Sequence, residues 1–400
     1  MRLIFLLNSP IRFLRIYFTN FDNTFVFTFK SPSIANMDKF YINQDITQAE
    51  TLPAEFYRSE EVFERLKEMV FLKSWQWIGD ENTLIPLPGS VHPFVLLDQY
   101  LSEPLLVVRD KENKAKCFTN VCTHRGNIVI HNPGQVKTLN CKYHGRRFDL
   151  DGKFKFMPEF TDAMDFPRPC DSLHEFSLKN LGPHLFVGLD PAFDFSEVIE
   201  VMNERVGFLP LNEFKLDASM SKEYLINCHW ALYCDNYLEG FHIPFVHESL
   251  NQVLDYNDYA TEVYAHTNLQ IGYSTSGEEV FDLPKGHIDF GKNVAAYYYW
   301  IFPNMMFNFY PWGLSINMVK PVGMNKTRVS FISYVYDETK LSAGAGALLD
   351  KVEREDEFVV EGVHKGLQSR FYKAGRFSPN KEKGVHHFHS LLAKYMNGDN

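Results

Sequence analysis

The stretches CTHRG (residues 122–126) and CKYHG (residues 141–145) decide the fold of the N-terminal half of this chain. Each stretch pairs a cysteine with a histidine and closes on a glycine, and sixteen residues separate the first histidine from the second cysteine. Two thiolates and two neutral imidazoles can hold the two irons of a [2Fe–2S] cluster, with both histidines on one iron. The glycines let the backbone approach the sulfides closely. The sequence therefore predicts a cluster on two loops with four ligands: Cys122, His124, Cys141 and His144.

A structural zinc site is the alternative for the same side chains, since zinc also binds sets of two cysteines and two histidines. Zinc fingers, however, place their two cysteines together and their two histidines together. Here each stretch contains one cysteine and one histidine. This mixed spacing favours the iron–sulfur cluster.

A second candidate metal site lies in YCDNYLEGFHIPFVH (residues 233–247). The stretch contains four side chains that can bind metals: Asp235, Glu239, His242 and His247. We predict a helix over about residues 232–242, on which the first three of these share one face. Pro244 is expected to end that helix, so that the next turn brings His247 back toward His242. Glu239 is expected to hydrogen-bond the imidazole of His242 and not to bind the metal.

The remaining ligand is predicted on a helix over about residues 348–366. One face of this helix is an apolar stripe: Val352, Val359, Val360, Val363 and Leu367. Asp356 falls within the stripe, whereas four acidic neighbours lie at its edge or off it: Glu353, Glu355, Glu357 and Glu361. Because burying a lone carboxylate is costly, a buried Asp356 needs a partner, and a metal is the natural one. The alternatives are that Asp356 tilts to the surface or forms a buried salt bridge. Two imidazoles and one carboxylate form the facial triad of non-haem Fe(II) oxygenases, here His242, His247 and Asp356.

Composition excludes several other classes of protein. The 400 residues carry a net charge of −10 at pH 7, which argues against nucleic acid as a partner. Charged residues interrupt every apolar run near the N-terminus, so no membrane span is predicted. Six cysteines in a chain of this length do not make a disulfide scaffold, and they favour a reducing, cytoplasmic location.

The pattern of apolar residues predicts an α+β chain with three parts behind an extension. Residues 1–36 are expected to be an upstream extension that is not part of the folded chain. Residues 37–77 form a helical segment, with helical spacing from Glu60 to Trp77. Residues 78–192, rich in short strands, form the cluster domain, and residues 193–400 form the catalytic mononuclear-iron domain. A Gly/Ala/Ser-rich linker at residues 342–346 leads into the helix that carries Asp356.

From about Met37 to Met396 the chain resembles the α-subunits of Rieske ring-hydroxylating oxygenases, and within them the choline monooxygenase-like group. The resemblance rests on the cluster loops and on four further stretches: DNYLEGFH (235–242), FPNMMFNFYPWG (302–313), GLQSRFY (366–372) and HHFHSLLA (386–393). It implies an N-terminal Rieske β-domain followed by a helix-grip (START-like) catalytic domain. The family usually carries Trp after the glycine of the second loop. Arg146 stands there in this chain, which puts the local docking surface in doubt.

The resemblance also implies a mono- or dioxygenase reaction. A separate NAD(P)H-dependent reductase reduces the cluster, and the mononuclear iron uses O2 to hydroxylate a small organic substrate. The family forms head-to-tail homotrimers, in which His144 of one subunit faces His242 of the next. Glu239 is then the bridge for electron transfer between the subunits.

The sequence leaves the substrate open between two classes. A quaternary ammonium compound such as choline or betaine would need an aromatic cage, and rings for it are available at Phe307, Phe309, Tyr310 and Trp312. The same four rings are equally compatible with a strand core. Aromatic-ring dihydroxylation is therefore the alternative reaction. A Rieske electron carrier without oxygenase activity is a weaker alternative, because it leaves the triad unused.

Overall fold

The computed structural model describes residues 39–247, 256, 258–275, 279–341 and 349–399. The predicted extension at residues 1–36 and the predicted linker at residues 342–346 lie outside these ranges. Within them the fold is α+β, as predicted, with a strand-rich N-terminal region followed by a sheet flanked by helices. None of the described helices is both long enough and apolar enough to cross a membrane.

The N-terminal helical segment is shorter than predicted. Helix α1 spans Ala54–Arg58 and helix α2 spans Glu60–Leu66, which a π-helical turn at Lys67–Phe71 continues. The chain is extended from Trp75 to Asp80, so the prediction of helical structure up to Trp77 is wrong. The reason is pairing with a distant strand of the cluster domain, which outweighs the local helical spacing of apolar residues.

The cluster domain contains ten strands between Trp75 and Gly188. Their bounds are β1 Trp75–Asp80, β2 Ser90–Leu96, β3 Glu103–Arg109, β4 Ala115–Thr119, β5 Gly134–Gln135, β6 Leu139–Asn140, β7 Arg147–Phe148, β8 Phe154–Phe156, β9 Glu175–Leu181 and β10 His184–Gly188, with a short helix α3 at Glu81–Leu84. One sheet has the order β1-β10-β9-β4-β3-β2-β5 and a smaller one the order β6-β7-β8. Residues 122–126 lie in the loop after β4, and residues 141–145 lie between β6 and β7.

The catalytic domain is one antiparallel sheet with helices on its faces. Its helices are α4 Ser196–Val206, α5 Trp230–Tyr237, α6 Ile243–Val246, α7 Leu349–Leu367 and α8 Lys383–Met396. Its strands are β11 Lys215–Ile226, β12 Ala260–Val263, β13 Thr267–Tyr273, β14 Val294–Ile301, β15 Met305–Tyr310, β16 Gly313–Gly323 and β17 Lys326–Val335. The sheet order is β11-β17-β16-β15-β14-β13-β12.

The two faces of the catalytic sheet pack against different helices, because side chains alternate along each strand. Phe307 and Phe309 of β15 join a buried core with residues of α4. Asn308 and Tyr310, on the opposite face of the same strand, line a cavity that α5 and α7 close from above. Alternation along β15 therefore separates an apolar core from the wall of a site.

A row of paired residues crosses the cavity-side face of the sheet. Gln270 pairs with Tyr298, Tyr298 with Asn308, and Asn308 with Ser315. Directly paired residues on neighbouring strands point to the same face, so these four side chains form one strip. A buried strip of amides and hydroxyls is costly without partners, which marks it as the wall of a polar cavity.

Candidate metal centres and the adjoining cavity

The two cluster loops share the same backbone hydrogen bonds. In the first loop the N–H of Cys122 donates to the carbonyl of Asn127 at 2.8 Å, and the N–H of Gly126 donates to the carbonyl of Cys122 at 3.0 Å. The N–H groups of Cys141 and Gly145 repeat these two bonds in the second loop, at 2.9 and 3.1 Å. Both glycines have positive φ, +70° and +75°, a conformation that other residues adopt only with strain. The loops are therefore two copies of one backbone turn.

The four predicted cluster ligands converge between these turns. Cys122 and Cys141 are buried and their thiol groups interact, while the rings of His124 and His144 lie 4.8 Å apart. Nδ1 of His144 is buried without a hydrogen-bond partner, as expected of a nitrogen that binds a metal. Desolvation and the neighbouring His144 lower the pKa of His124, which favours the neutral, metal-binding form of its imidazole. The donor set fits a [2Fe–2S] cluster with mixed ligation.

Arg146 is buried inside the cluster domain, so its side chain is not part of an exposed surface, and an effect on docking stays a prediction. Its side chain is 2% exposed, and its guanidinium donates to Oδ1 of Asp171 at 2.7 Å. Three aromatic rings surround the guanidinium at 5.0 to 5.8 Å: Phe148, Phe154 and Phe166. Burial alone would raise the pKa of Asp171, but the N–H of Arg168 and the guanidinium outweigh it and lower the pKa. Arg146 thus belongs to a buried ion pair inside the cluster domain.

The structure brings His242, His247 and Asp356 together. Oδ1 of Asp356 lies 3.0 Å from Nε2 of His247 and 3.6 Å from Nε2 of His242. One ligand atom from each residue can be chosen so that all lie within 4.8 Å of one another. Adjacent ligands of a six-coordinate metal are about 3 Å apart when each bond is about 2.1 Å long. The set fits a mononuclear iron with open positions.

A glutamate holds the second nitrogen of each histidine. Nδ1 of His242 lies 2.7 Å from Oε1 of Glu239, whose Oε2 accepts a hydrogen bond from the backbone N–H of His242 at 3.0 Å. Nδ1 of His247 lies 2.7 Å from Oε2 of Glu355. Such carboxylates fix the tautomer and direct Nε2 toward a metal. The contact of Glu239 is the one expected from the sequence, whereas Glu355 was missed.

The backbone around the histidines differs from the prediction. Helix α5 ends at Tyr237, so Glu239 and His242 do not share a helical face with Asp235. Oδ1 of Asp235 instead lies 2.9 Å from Nε2 of His389 on α8. Pro244 lies in the first turn of α6, where its missing N–H would have had no intrahelical partner. The proline therefore begins a helix, and the prediction that it ends one is wrong.

The acidic residues of α7 have different partners. Oδ1 of Asp356 accepts a hydrogen bond from Asn236 at 2.6 Å, Glu357 pairs with Arg354, and Glu361 bonds to Asn227. Glu353, predicted at or beyond the edge of the stripe, is 3% exposed, so that prediction is wrong. The hydroxyl of Tyr233 donates to its Oε2 at 2.5 Å, while its Oε1 has no partner. Burial raises the pKa of Glu353 well above its ordinary value. The buried face of α7 is therefore not the predicted apolar stripe, since it includes Glu353, whereas Val363 of the stripe is 46% exposed.

A cavity of about 110 Å³ adjoins the triad. One water requires only about 10–15 Å³ by the same measure, so the cavity has room for a small organic molecule. The α5, α6 and α7 side contributes Tyr233, Asn236, Tyr237, Glu239, His242, Ile243, His247, Val352, Glu353 and Asp356. The side of the sheet contributes Tyr259, Gln270, Tyr298, Asn308, Tyr310, Ser315, Asn317 and Phe331.

The rings around this cavity are largely not those considered from the sequence. Of the four rings, only Tyr310 lines it; Trp312 stacks against Tyr310 at 5.3 Å, and Phe307 and Phe309 lie in the core on the α4 side. Five tyrosines line the cavity, and four of them were missed from the sequence: Tyr233, Tyr237, Tyr259, Tyr298 and Tyr310. The strand alternation that separates 308 and 310 from 307 and 309 was the signal available in the sequence.

Two family models match the chain over the regions that hold these sites. The Rieske [2Fe-2S] domain matches residues 74–167. The catalytic domain of the ring hydroxylating alpha subunit matches residues 213–398. A [2Fe–2S] cluster and a mononuclear iron are therefore the cofactors of this chain.

Several characterised proteins are similar to the chain along most of its length. Chloroplastic choline monooxygenase of Arabidopsis thaliana is 29% identical over 370 residues, which cover 87% of this chain and 83% of that protein. The carnitine monooxygenase oxygenase subunit of Escherichia coli K12 is 27% identical over 381 residues, with coverages of 91% and 98%.

Solved structures share the fold. A quaternary ammonium Rieske monooxygenase in complex with L-carnitine has a TM-score of 0.68 at 24% identity, covering 88% of this chain and 97% of that one. Naphthalene 1,2-dioxygenase from Rhodococcus sp. has a TM-score of 0.66 at 17% identity, with coverages of 88% and 95%. With both domains matched in order, this chain belongs to the Rieske non-haem iron oxygenases, as the α-subunit that carries the cluster and the mononuclear iron.

Proposed function

We propose that this oxygenase component hydroxylates a small quaternary ammonium compound, using O2 and electrons from a separate NAD(P)H-dependent reductase. The observation that carries the proposal is the tyrosine wall of the cavity beside the triad. The relatives named for choline and carnitine support the same class of substrate.

The tyrosine wall suits a cation without N–H groups. The rings of Tyr298 and Tyr310 lie 5.8 Å apart at 80°, and the rings of Tyr259 and Tyr298 lie 6.5 Å apart. The faces of such rings attract a cation within about 6 Å through their quadrupole, without needing a hydrogen-bond donor. A trimethylammonium group offers charge and methyl surface only, and this wall matches both.

We assign ligand roles to seven residues: Cys122, His124, Cys141 and His144 for the cluster, and His242, His247 and Asp356 for the iron. A bound iron with open positions supplies the chemistry of O2 activation. The chain's own contribution is orientation: Glu239 and Glu355 hold the imidazoles, and Asn236 holds the carboxylate of Asp356.

Glu239 is further assigned as the bridge for electron transfer between subunits of a head-to-tail homotrimer. Its two carboxylate oxygens are both engaged by His242, so it is rigidly coupled to one ligand of the iron. The cluster loops are partly exposed at His124 and His144, which leaves them accessible to another subunit. These features support the bridging role.

The domain boundaries and the location remain part of the proposal. A division near residues 192–193 is supported because β10 ends at Gly188 and α4 begins at Ser196. The cluster domain is extended to Trp75, where its first strand begins. Six free cysteines support a reducing, cytoplasmic location.

The substrate class is tested through the mononuclear iron. The EPR signal of its reduced, nitric-oxide-bound form is followed while choline, glycine betaine, carnitine and then a panel of aromatic acids are titrated. A saturable change with a quaternary amine is expected. A response to aromatic compounds alone would replace this proposal with ring dihydroxylation.

A further inference from the structure

The charged groups of the cavity wall are all acidic, apart from the two histidines of the triad. Glu239, Glu353 and Asp356 line it, and neither Lys nor Arg does among the described residues. The internal segments that are not described, residues 248–255, 257, 276–278 and 342–348, also contain no Lys or Arg. Neither the described cavity wall nor these internal segments therefore offers a Lys or Arg that could neutralise an anionic ligand.

Two of the three carboxylates have partners that account for them. Glu239 is held by His242 through both oxygens, and Asp356 contacts both histidines and Asn236. Among the described residues, Glu353 has only the hydroxyl of Tyr233 as a hydrogen-bond partner, and its Oε1 is buried without one. A carboxyl group buried in this way stays neutral or acquires a cation, since an isolated buried charge is costly.

Among the described residues of the cavity wall, the other buried polar atom without a partner is also an acceptor. Gln270 is 1% exposed, and its Nε2 donates to the carbonyl of Tyr237 at 2.7 Å. That contact fixes the orientation of the amide, because a carbonyl can only accept. Oε1 of Gln270 is left buried without a donor. The two buried atoms of the wall that lack a partner among the described residues are therefore oxygens, which favour positive charge or an O–H donor and disfavour a carboxylate.

We propose that Glu353 is the specificity-determining counter-charge for the cationic head of the substrate, and that the rest of the substrate is uncharged. This inference rests on the proposed function and narrows it to a choline-like amino alcohol, as opposed to a betaine-like zwitterion. The tyrosine faces enclose the methyl groups, Glu353 supplies the negative charge, and the neutral amides of the sheet wall meet an uncharged polar end.

The test is equilibrium binding to the full-length, iron-loaded enzyme, measured through the EPR signal of the nitric-oxide-bound iron. The ligands are choline, glycine betaine, carnitine and 3,3-dimethyl-1-butanol, the uncharged carbon analogue of choline. In the unmodified enzyme choline is expected to bind at least about tenfold more tightly than the carbon analogue and than either zwitterion. This comparison needs no variant.

Glu353→Gln keeps the size of the side chain and an acceptor for Tyr233. It is expected to weaken choline binding by about tenfold or more and to change binding of the carbon analogue by less than about twofold. Glu357→Gln is the matched control, one turn further along α7 and paired with Arg354 outside the cavity. It is expected to leave both affinities unchanged.

Equal weakening of choline and its carbon analogue in Glu353→Gln would overturn the role of Glu353. If the zwitterions bind as tightly as choline, the inference that the rest of the substrate is uncharged is wrong. If no quaternary amine binds while an aromatic compound does, the proposed function fails, and the inference fails with it.

Discussion

The two metal centres of this chain are built in opposite ways. All four proposed cluster ligands fall between residues 122 and 144, on two loops with the same backbone turn. Two of the proposed iron ligands, His242 and His247, flank α6, whereas Asp356 lies on α7, 109 residues after His247 in sequence. The first centre is therefore a product of local backbone geometry, and the second is a product of the packing of α7 against α5 and α6.

The two centres therefore depend on different parts of the structure. The cluster loops carry their own hydrogen bonds and positive-φ glycines, so their shape does not require the catalytic domain. The triad exists only when α7 is docked, and two glutamates and an asparagine then fix its ligands. Loss of one centre should leave the other intact.

The largest expected effect comes from His247→Ala. Removal of one imidazole from the triad should release the mononuclear iron and abolish turnover, because the remaining two side chains do not complete the ligand set. The visible absorption of the cluster should be unchanged. Metal analysis and the visible spectrum check this together, and simultaneous loss of the cluster would contradict the independence of the centres.

The reciprocal change is Cys141→Ser. It should eliminate the cluster spectrum, while the mononuclear site still binds iron and gives its nitric-oxide EPR signal. Cys170→Ser is the control, since Cys170 is an exposed thiol of the same domain. It should keep both metals, and loss of the mononuclear iron in Cys141→Ser would show that the sites depend on each other.

A smaller effect should separate the two glutamates beside the triad. Glu239 and Glu355 make the same 2.7 Å contact to different histidines. Glu239→Gln should retain both metals and slow oxidation of the reduced cluster by at least about tenfold in a single turnover. Glu355→Gln should weaken iron binding without slowing transfer in the iron-loaded fraction. Equal transfer rates in Glu239→Gln and the unmodified enzyme would remove Glu239 from the path.

The last expected effect concerns the stability of the cluster domain and not its chemistry. Arg146→Leu leaves Asp171 buried without its partner and should cost about 3–5 kcal/mol, measured as loss of cluster absorbance in denaturant. Arg168→Leu is the matched control, because Arg168 contacts the same carboxylate at 3.5 Å with a side chain that is 64% exposed. Its effect should be below about 1 kcal/mol.

The ion pair also predicts a pH dependence. The pKa of Asp171 is lowered in the folded protein, so the stability it contributes is present above the unfolded pKa of about 3.9. That contribution is lost as pH falls through the lowered pKa. The difference between Arg146→Leu and the unmodified protein should therefore persist at neutral pH and shrink only in acid. A difference that vanishes near pH 6 would exclude Asp171 as its source.

The cluster loops and the triad also differ in how much of each could be predicted from the sequence. The convergence of the four proposed cluster ligands could be predicted because their spacing is local, and the position of Asp356 beside the two histidines could be predicted because a carboxylate stood on an apolar stripe. The end of α5 at Tyr237 could not be predicted, since Pro244 is compatible with either ending or beginning a helix.

The cavity was the least predictable part. Glu353 and Glu355 gave no periodic signal, because their burial depends on the helices and the sheet that α7 meets. The polar strip through Gln270, Tyr298 and Asn308 depends on register between strands far apart in sequence. The burial of Arg146 could not be predicted, because only the fold shows that Asp171 accepts a hydrogen bond from its guanidinium inside the domain.

Metal and sulfide analysis of the purified chain tests the central claim, that one chain holds two independent metal centres. We predict about three irons and about two acid-labile sulfides per chain, falling to about two irons with unchanged sulfide in His247→Ala. Two irons with two sulfides in the unmodified chain, or zinc in place of iron, would contradict it.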